Sequence, residues 1–428
     1  MATEIGNQMY KLINHLFPIC RSITGDGVRK TLKILQSHID LKIHEVPSGT
    51  KVFDWIIPDE WNIKDAYVKD ENGKKVIDFK ENNLHVVGYS EPFHGKVNLE
   101  ELEKHLYSLP NQSDLIPYVT SYYERRWGFC VSENQRKKLK KGIYEVKIDS
   151  TLKSGSLTYA DLIIKGQSQK EILFSTYICH PSLANNELSG PVVATFLAKY
   201  FLGEKNNYYT YRFVFTPETI GTIAYLSEHV NELKKNVIAG YVITCIGDSG
   251  SFSYLQSRKE DTLVDRVTMH VLNNMEKEYK LYDYLSRGSD ERQYCAPGID
   301  LPVGSLMRTK YGEYPEYHTS GDNLDIIEPI ELERSLEKLK LCVNVIENNR
   351  IYKTRVKGEP QLGKRGLYPN ISTKISGLKV RKMMNILAYC DGQHDLLWIA
   401  EKIGEPIMSL FPIVENLLEN NLLEIVEQ

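Results

Sequence analysis

The chain has 428 residues, of which 42% are hydrophobic and 25% charged, and its formal net charge is −3. This length suffices for two or three domains, and the charge argues against a nucleic-acid binder or a polybasic membrane-binding protein. The seven cysteines are scattered without a Cys-x-x-Cys pair, which argues against a disulfide framework and a thiolate zinc site. Because neither a signal-peptide pattern nor a long apolar run is visible, we expect a cytoplasmic protein.

The N-terminal part of the chain predicts two helices, at residues 9–16 and 27–39, followed by a strand at 41–46. From residue 51 to 141 the sequence becomes rich in Trp, Asp, Asn and Lys, and turn signals recur between short alternating segments such as 75–79 and 85–89. This texture predicts a small β-rich domain inserted into the first domain, which would comprise residues 1–50 and 142–350.

The inserted domain closes with an aromatic and basic segment, Tyr122-Tyr-Glu-Arg-Arg-Trp-Gly-Phe129. A guanidinium such as that of Arg126 is suited to holding a carboxylate or the polar groups of a sugar at the edge of a site. The same segment is also what hinge packing of an inserted domain would look like, and both interpretations stay open.

Residues 142–350 alternate between predicted strands and helices. The strands lie at 144–148, 157–164, 170–179, 211–216 and 237–246, and helices follow at 190–202, 222–233 and 258–278. Alternation of this kind predicts an α/β fold with a largely parallel sheet covered by helices on both faces, hence three layers.

A basic Gly- and Pro-containing stretch at 351–375 is interpreted as a linker, and residues 376–428 predict a winged helix-turn-helix of three short helices and a closing strand. This C-terminal domain has about twice as many acidic as basic residues, and its third predicted helix, at 408–419, contains no Lys or Arg. Because DNA recognition needs a basic helix, we expect a docking or dimerisation module rather than a DNA-binding domain.

Polar residues that could form a site follow several strands of the central region. His180 ends a buried strand, Glu218 and Asp248 each follow a later strand, and His318 lies in a polar loop near the end of the domain. In open α/β sheets such strand ends converge on the ligand site. Two histidines with carboxylates fit an oxygen and nitrogen zinc site, and one further carboxylate would suit metal-assisted hydrolysis.

With these residues in place, the chain resembles the zinc aminopeptidases with two co-catalytic metals, a superfamily that includes the glutaminyl cyclases. More narrowly, it resembles bacterial polysaccharide biosynthesis proteins that combine an aminopeptidase-like domain, an inserted β domain and a C-terminal winged helix. The motifs that carry this resemblance are Cys179-His-Pro-Ser-Leu-Ala184, Gly288-Ser-Asp-Glu-Arg-Gln-Tyr294 and Glu316-Tyr-His-Thr-Ser320. The resemblance implies a three-layer α/β/α aminopeptidase-like domain and zinc-dependent cleavage of an amide or peptide bond.

The resemblance also implies roles for individual residues. It makes Glu218 the general base, and it makes His180, Asn186, Asp248 and His318 the metal ligands, with Asn186 at the position of the aspartate that bridges the two metals. Near the substrate it places Asp290 and Glu291, and the segment around Arg126 and the position of Tyr317 beside His318 make these two residues further candidates for substrate contact. Tyr317 and its neighbours Tyr311 and Tyr314 could supply a phenolic donor or simply pack beside His318.

Two departures from the family pattern bear on the metal. Asn186 replaces the bridging aspartate, and Thr219 stands where the next glutamate would bind metal. A neutral amide oxygen cannot bridge two cations as a carboxylate can, so we expect one Zn²⁺, with two as the alternative.

A catalytically inactive module that binds a peptide or sugar, and a winged-helix regulator, remain competing hypotheses. For the hydrolase we expect a peptide-like or amino-sugar substrate, with neither membrane nor DNA as a partner. A homo-oligomer or a protein partner could form through the winged helix.

Overall fold

The computed structural model describes residues 3–367 and 374–426. Its contacts divide the chain into a first unit, 1–265 with 278–338, and a second unit, 266–277 with 339–428. The helices are α1 Glu4–Leu16, α2 Asp26–Gln36, α3 Leu99–Glu103, α4 Glu133–Arg136, α5 Ser189–Gly203, α6 Ile220–Asn236, α7 Leu263–Met275, α8 Glu291–Tyr294, α9 Pro329–Asn348, α10 Lys374–Tyr389, α11 Leu396–Ile403 and α12 Phe411–Glu419. The strands are β1 Lys42–Pro47, β2 Lys51–Val52, β3 Trp55–Ile56, β4 Glu60–Lys69, β5 Lys75–Asp78, β6 Phe93–Asn98, β7 Leu106–Tyr107, β8 Phe129–Cys130, β9 Ile143–Lys153, β10 Ser156–Ile164, β11 Glu171–Tyr177, β12 Thr210–Thr216, β13 Val237–Ile243, β14 Ser253–Leu255, β15 Lys280–Tyr282, β16 Val303–Met307, β17 Ile351–Thr354, β18 Asp391–Asp395 and β19 Leu423–Ile425.

The first unit is built on an eight-stranded sheet with the order β1-β10-β12-β11-β13-β16-β14-β15. Its centre is parallel, since β11 pairs in parallel with both β12 and β13, and β13 pairs in parallel with β16. Every residue of β11 and β12 is buried. Strands buried on both faces are apolar without alternation, which is why these two appear in the sequence as short hydrophobic runs.

Helices cover the two faces of this sheet. The connection from β11 through α5 leads to β12 on one side, whereas the connection from β12 through α6 returns across β11 to β13 on the other. Right-handed crossovers in opposite directions place their helices on opposite faces. Helix α1 packs against α5 and helix α8 against α6, so the predicted three-layer arrangement is present.

A smaller antiparallel sheet of order β5-β4-β9-β6 lies within the first unit. The predicted inserted domain ends at residue 141, and the predicted strand at 144–148 belongs to the main domain. That boundary is corrected, because β9 pairs along its length with β4 and also with β6. Alternation along a strand shows that one face is buried but does not show which sheet the strand joins.

In the second unit, α10, α11 and α12 accompany a three-stranded antiparallel sheet of order β18-β17-β19. The predicted linker is corrected here, because its residues 351–354 form β17. The polar residues 391–394 belong to β18. Part of the predicted linker, 368–373, falls outside the described residues. Among the helices in the described part of the chain, none has both the length and the apolar character that crossing a bilayer requires.

Candidate active site

His180 follows the C-terminal end of the central strand β11 and is buried. In the segment after it, Ala184–Leu188 forms a π-helical turn that leads directly into α5. The buried carboxylate of Asp322 accepts hydrogen bonds from the backbone N–H groups of residues 184, 185 and 186 at 3.0, 2.6 and 3.0 Å. These bonds satisfy donors that the start of a helix leaves unpaired, and they explain why the segment is ordered as a turn.

Glu187, at the end of this turn, holds the His180 ring in place. Its Oε2 atom lies 2.6 Å from His180 Nδ1, and the buried guanidinium of Arg21 lies 3.8 Å from its Oε1 atom. Burial raises the pKa of Glu187 to about 8, and the charge of Arg21 opposes that rise. Burial, assisted by the charge of Arg21, lowers the pKa of His180 to about 3. With Nδ1 directed to the carboxylate, His180 presents the lone pair of a neutral Nε2 on its other side.

Glu218 and His318 lie on the same cavity wall as His180. The cavity has a volume of about 330 Å³, and the Oε2 atom of Glu218 lies 3.6 Å from His180 Nε2 within it. The rings of His180 and His318 are 5.5 Å apart, and burial lowers the pKa of His318 to about 3, with His180 contributing. Burial, and then the charge of Asp290, raises the pKa of Glu218.

Two tyrosines close the cavity beside the histidines. The ring centroid of Tyr118 is 5.2 Å from those of both His180 and His318, and its hydroxyl lies 2.8 Å from the hydroxyl of Tyr122. The Tyr118 backbone N–H donates to the carbonyl of His318 at 2.8 Å. The segment before Phe129 thus supplies one wall of the cavity and supports the left-handed backbone of His318, which has a φ of 56°.

Asn186, the predicted bridging ligand, is buried one residue before Glu187. Its Nδ2 atom donates to the hydroxyl of Tyr177 at 2.7 Å, and that hydroxyl also lies 2.5 Å from Thr244 Oγ1. Its Oδ1 atom is buried and has no hydrogen-bond partner among the described residues. The Asn186 side chain is therefore fixed by a neutral hydrogen-bond network with one oxygen left over.

Asp248 does not line the cavity with the histidines, and its hydrogen bonds favour a structural role over the predicted role as a metal ligand. One of its oxygens accepts from Gly250 N–H at 2.7 Å and from the Thr309 hydroxyl at 2.7 Å, and the other accepts from Asn185 Nδ2 at 2.8 Å. The lone pairs of this carboxylate are thus engaged in holding the loop after β13.

Asp290 and Glu291 support the site from behind. Asp290 is fully buried, and its Oδ1 atom accepts from the backbone N–H of Thr219 at 2.8 Å. Glu291 is also fully buried, and accepts from the Tyr311 hydroxyl and the Gly288 backbone N–H, both at 2.8 Å. Burial raises the pKa of Asp290. Neither carboxylate lines the cavity, so contact with a substrate remains a prediction for both.

Arg126 and Tyr317, the other predicted substrate contacts, have defined packing partners. Arg126 donates to the Thr120 carbonyl at 3.0 Å and lies over the ring of Tyr107 at 5.5 Å. Tyr317 stacks on His318 with ring centroids 3.9 Å apart. For Arg126 these contacts favour the packing interpretation, and for Tyr317 they indicate a supporting contact to one of the two histidines.

Four residues at the site were not predicted as site residues: Glu187, Tyr118, Tyr122 and Arg292. A signal existed for Glu187, since a carboxylate seven residues after His180 and near a helix start can reach back to that histidine. For Tyr118 no comparable signal exists, because it lies 62 positions before His180 in a segment without periodicity. The available signal for Arg292 was its place in the Gly288–Tyr294 motif, directly after the two acidic residues at 290 and 291.

The donors present fit one zinc ion. His180 Nε2 and Glu218 Oε2 already lie within 3.6 Å of each other, and the buried Nε2 atom of His318 has no hydrogen-bond partner among the described residues. A ligand histidine usually donates its second ring nitrogen to a carboxylate, as His180 does to Glu187. Two neutral imidazoles are ligands of the kind that catalytic zinc uses, and the Glu218 carboxylate lies beside them.

A second group of donors is less suited to a cation. Cys179, His180 and Glu187 offer one ligand atom each within 4.8 Å of one another. However, Arg21 already pairs with Glu187 at 3.8 Å, and burial raises the pKa of the Cys179 thiol far above its ordinary value. Because a thiol must ionise to bind zinc and a neighbouring guanidinium repels the ion, we assign Glu187 to orienting His180.

Comparison with known proteins gives matches to nearly the whole chain. A family model described as a domain of unknown function (DUF4910) matches residues 10–349, and a winged helix-turn-helix model matches residues 350–425. A Clostridium acetobutylicum protein, whose name proposes a role in polysaccharide biosynthesis and an aminopeptidase-like domain, is 48% identical over 427 residues, or 99% of this chain and 98% of that protein. A crystal structure from the same organism, described as that of a proposed peptidase, superposes with a TM-score of 0.93 at 47% identity, covering 99% of this chain and 97% of the other.

More distant structures show the fold. A zinc aminopeptidase from Bacillus subtilis superposes with a TM-score of 0.59 at 12% identity, covering 81% of this chain and 96% of that one. An aminopeptidase from Aneurinibacillus sp. strain AM-1 superposes with a TM-score of 0.51 at 14% identity, covering 79% and 93%. The predicted family resemblance, the aminopeptidase-like α/β fold and the C-terminal winged helix are thereby confirmed.

Proposed function

The chain belongs to the DUF4910 family, and on that premise we propose that it is a zinc-dependent hydrolase of the aminopeptidase type that cleaves an amide or peptide bond. The observation that carries the proposal is the meeting of His180, His318 and Glu218 in one cavity, with Glu187 holding the far side of the His180 ring. The shared fold with zinc aminopeptidases supports the choice of metal.

The chemistry that zinc supplies when bound is Lewis acidity, which lowers the pKa of water toward ~7 and stabilises negative charge on the attacked carbonyl. His180 and His318 would hold the ion, with Glu218 beside it. The Glu218 carboxylate, which lines the cavity 3.6 Å from His180 Nε2, would take a proton from the attacking water and return it to the leaving amine. Tyr118 and Tyr122 line the cavity beside the histidines and restrict its volume.

We propose one ion rather than two. Asn186 donates its amide hydrogen to Tyr177, and the Thr219 hydroxyl accepts a hydrogen bond from Arg292 at 2.7 Å. Neither residue offers the negative charge that a second Zn²⁺ would need between two cations. The substrate that suits this proposal is an amide in a peptide-like or amino-sugar compound, and the name of the Clostridium relative favours polysaccharide or cell-envelope biosynthesis.

Metal analysis of protein purified without chelator tests the proposal. We expect one zinc per chain in the wild type, and loss of that zinc in His180→Ala and in His318→Ala. His94→Ala is the matched control, because His94 is exposed on β6. Absence of metal after zinc is supplied would refute the hydrolase, and two zincs per chain would refute the interpretation of Asn186 and Thr219.

A second candidate is an inactive module that binds a peptide or sugar in the same cavity. The observation that favours it is the neutral hydrogen-bond network around Asn186, which replaces a metal-bridging charge. This module would bind its ligand equally well in wild-type protein and in His180→Ala, whereas the hydrolase would not.

For the C-terminal unit we propose a protein contact, either with a second copy or with another protein. Helix α12 carries no Lys or Arg, so a DNA role would lack the basic surface that phosphate contacts require. A gel-shift experiment with the full chain should show no DNA binding, and light scattering would report self-association.

A further inference from the structure

Arg292 is a cation on the wall of the cavity that contains His180, Glu218 and His318. Its side chain is exposed, and one nitrogen, Nη2, donates to Thr219 Oγ1 at 2.7 Å. Among the residues that the structure describes, no carboxylate forms an ion pair with it. A guanidinium carries five N–H donors in a planar fork, so most of this fork is available to a ligand in the cavity.

Thr219 is held in an unusual conformation that fixes the position of Arg292. Its φ is 64°, a value that a β-branched residue rarely adopts. The Asp290 carboxylate holds this conformation by accepting the Thr219 N–H at 2.8 Å. A buried carboxylate, a strained threonine and an exposed arginine thus form one connected series of hydrogen bonds that ends in the cavity.

The remaining wall provides flat aromatic surface. Trp55 and Tyr123 line the same cavity with ring centroids 5.8 Å apart, and Tyr123 is 60% exposed. Apart from Arg292, the side chains of the lining that can carry charge are Glu218, His180 and His318. Arg292 is thus the lining residue that is cationic at every ordinary pH, and it lies in a cavity with aromatic surface, which suits a compact ligand that bears a single oxyanion.

We propose that Arg292 binds a carboxylate or similar oxyanion of the substrate, so that the substrate class is an amide that carries a negative charge close to the scissile bond. A planar carboxylate matches the guanidinium fork with two parallel hydrogen bonds, which gives both orientation and affinity. Thr219 and Asp290 act as positioning residues for Arg292. This inference rests on the proposed function for the reaction, but the binding of the anion does not depend on the metal.

A matched pair of small probes tests the anion subsite. N-acetylglycine carries an amide and a carboxylate, and N-acetylglycine methylamide replaces the charge with a neutral group of similar size. We expect wild-type protein to bind the acid about tenfold more tightly than the methylamide in NMR titrations, the preference that charge-assisted hydrogen bonds provide. Arg292→Ala should bind both probes equally. Inorganic phosphate serves as a competitor. It should displace the acid from a site that accepts any oxyanion, but not from a site shaped for a carboxylate.

Two further variants separate binding from structural support. Arg287→Ala is the control, since Arg287 packs over Tyr284 outside the cavity lining and its removal should leave the preference intact. Thr219→Ser should retain the preference and Thr219→Val should reduce it, because only serine keeps the hydroxyl that holds Arg292.

The titrations are repeated in His180→Ala, and zinc is measured in every sample. Failure of the proposed function would appear as absent zinc with the acid preference intact. Failure of the present inference would appear as equal binding of the two probes by wild type, no binding of the acid, or a preference that survives in Arg292→Ala.

Discussion

Glu218 and Asp248 occupy similar places in the sequence, since each follows a buried parallel strand at the carboxyl edge of the main sheet. Their surroundings differ. Glu218 lines the cavity 3.6 Å from His180, whereas Asp248 accepts hydrogen bonds from three neighbouring segments of the chain. A carboxylate at a strand end can therefore be a reactive group or a structural one, and its hydrogen-bond partners decide which.

The largest effect is expected at the carboxylate that supports the first histidine. Replacing Glu187 by Gln removes the carboxyl group that orients His180 Nδ1, and zinc affinity should fall about 10- to 100-fold. Competition with a chromogenic chelator measures this affinity on protein whose thermal unfolding has been checked. Because Arg21 also loses its partner, Glu187→Asp provides a second variant that keeps the charge, and unchanged affinity in both would show that Glu187 has no part in metal binding.

A carboxylate that does not line the cavity tests the structural role that carboxylates have in this comparison. Hydrogen bonds from Arg29, at 2.6 and 2.8 Å, lower the pKa of Glu60 from its ordinary 4.5 to about 2. Since the folded pKa lies below the unfolded one, the stabilisation is full above pH 4.5 and is lost as the pH falls through 2. Glu60→Gln should lower the free energy of unfolding at pH 7 by about 2–3 kcal/mol. This is less than the free energy that corresponds to the whole pKa shift of Glu60, because Arg29 also pairs with Glu45.

Urea titrations of wild type and Glu60→Gln across the acid range measure this difference. The gap between the two proteins should narrow steadily below pH 4.5, the ordinary pKa of the group. A gap that stays constant down to pH 2 would mean that the Arg29–Glu60 pair contributes nothing through its charge.

Asp248→Asn should destabilise the protein without affecting the metal. The substituted amide nitrogen cannot accept the hydrogen bonds that Gly250 and Thr309 or Asn185 donate, which should cost about 2 kcal/mol in the free energy of unfolding. Zinc content should equal that of wild type. A variant of normal stability that has lost its zinc would restore Asp248 as a ligand and reverse the comparison with Glu218.

The smallest effect is expected from Tyr118→Phe. The substitution removes one hydroxyl, which lies 2.8 Å from the Tyr122 hydroxyl, and should cost about 1 kcal/mol in chemical denaturation. Zinc affinity should not change, because the aromatic packing on both histidines is retained. Loss of zinc in this variant would mean that the Tyr118 hydroxyl itself contributes to the metal site.

The sequence predicts much of the main sheet because its central strands are mostly apolar and buried along their whole length, and the helices at 190–202 and 222–233 are found as Ser189–Gly203 and Ile220–Asn236. The prediction from sequence fails where strand pairing determines which sheet a strand joins. Strand β9 has the alternation of any half-buried strand, and β18 is polar and contains Gly392, which has a φ of 85° typical of a turn. Only the partners of these strands show to which sheet they belong.

The site is predictable to the extent that its residues follow strands or share a motif. His180, Glu218 and His318 meet these conditions, and the structure brings them together. Tyr118 and Arg292 reach the cavity from the segment before β8 and from helix α8, and no local pattern links them to His180. Their contribution depends on long-range packing, which spacing along the chain does not encode.

The most direct measurement of the metal site is anomalous X-ray diffraction at the zinc absorption edge, on crystals of the full chain supplied with zinc. The expected result is a single peak per chain, bonded to the Nε2 atoms of both His180 and His318. A peak beside Cys179 and Glu187, a pair of peaks, or no peak in this cavity would contradict a single zinc ion held by the two histidines.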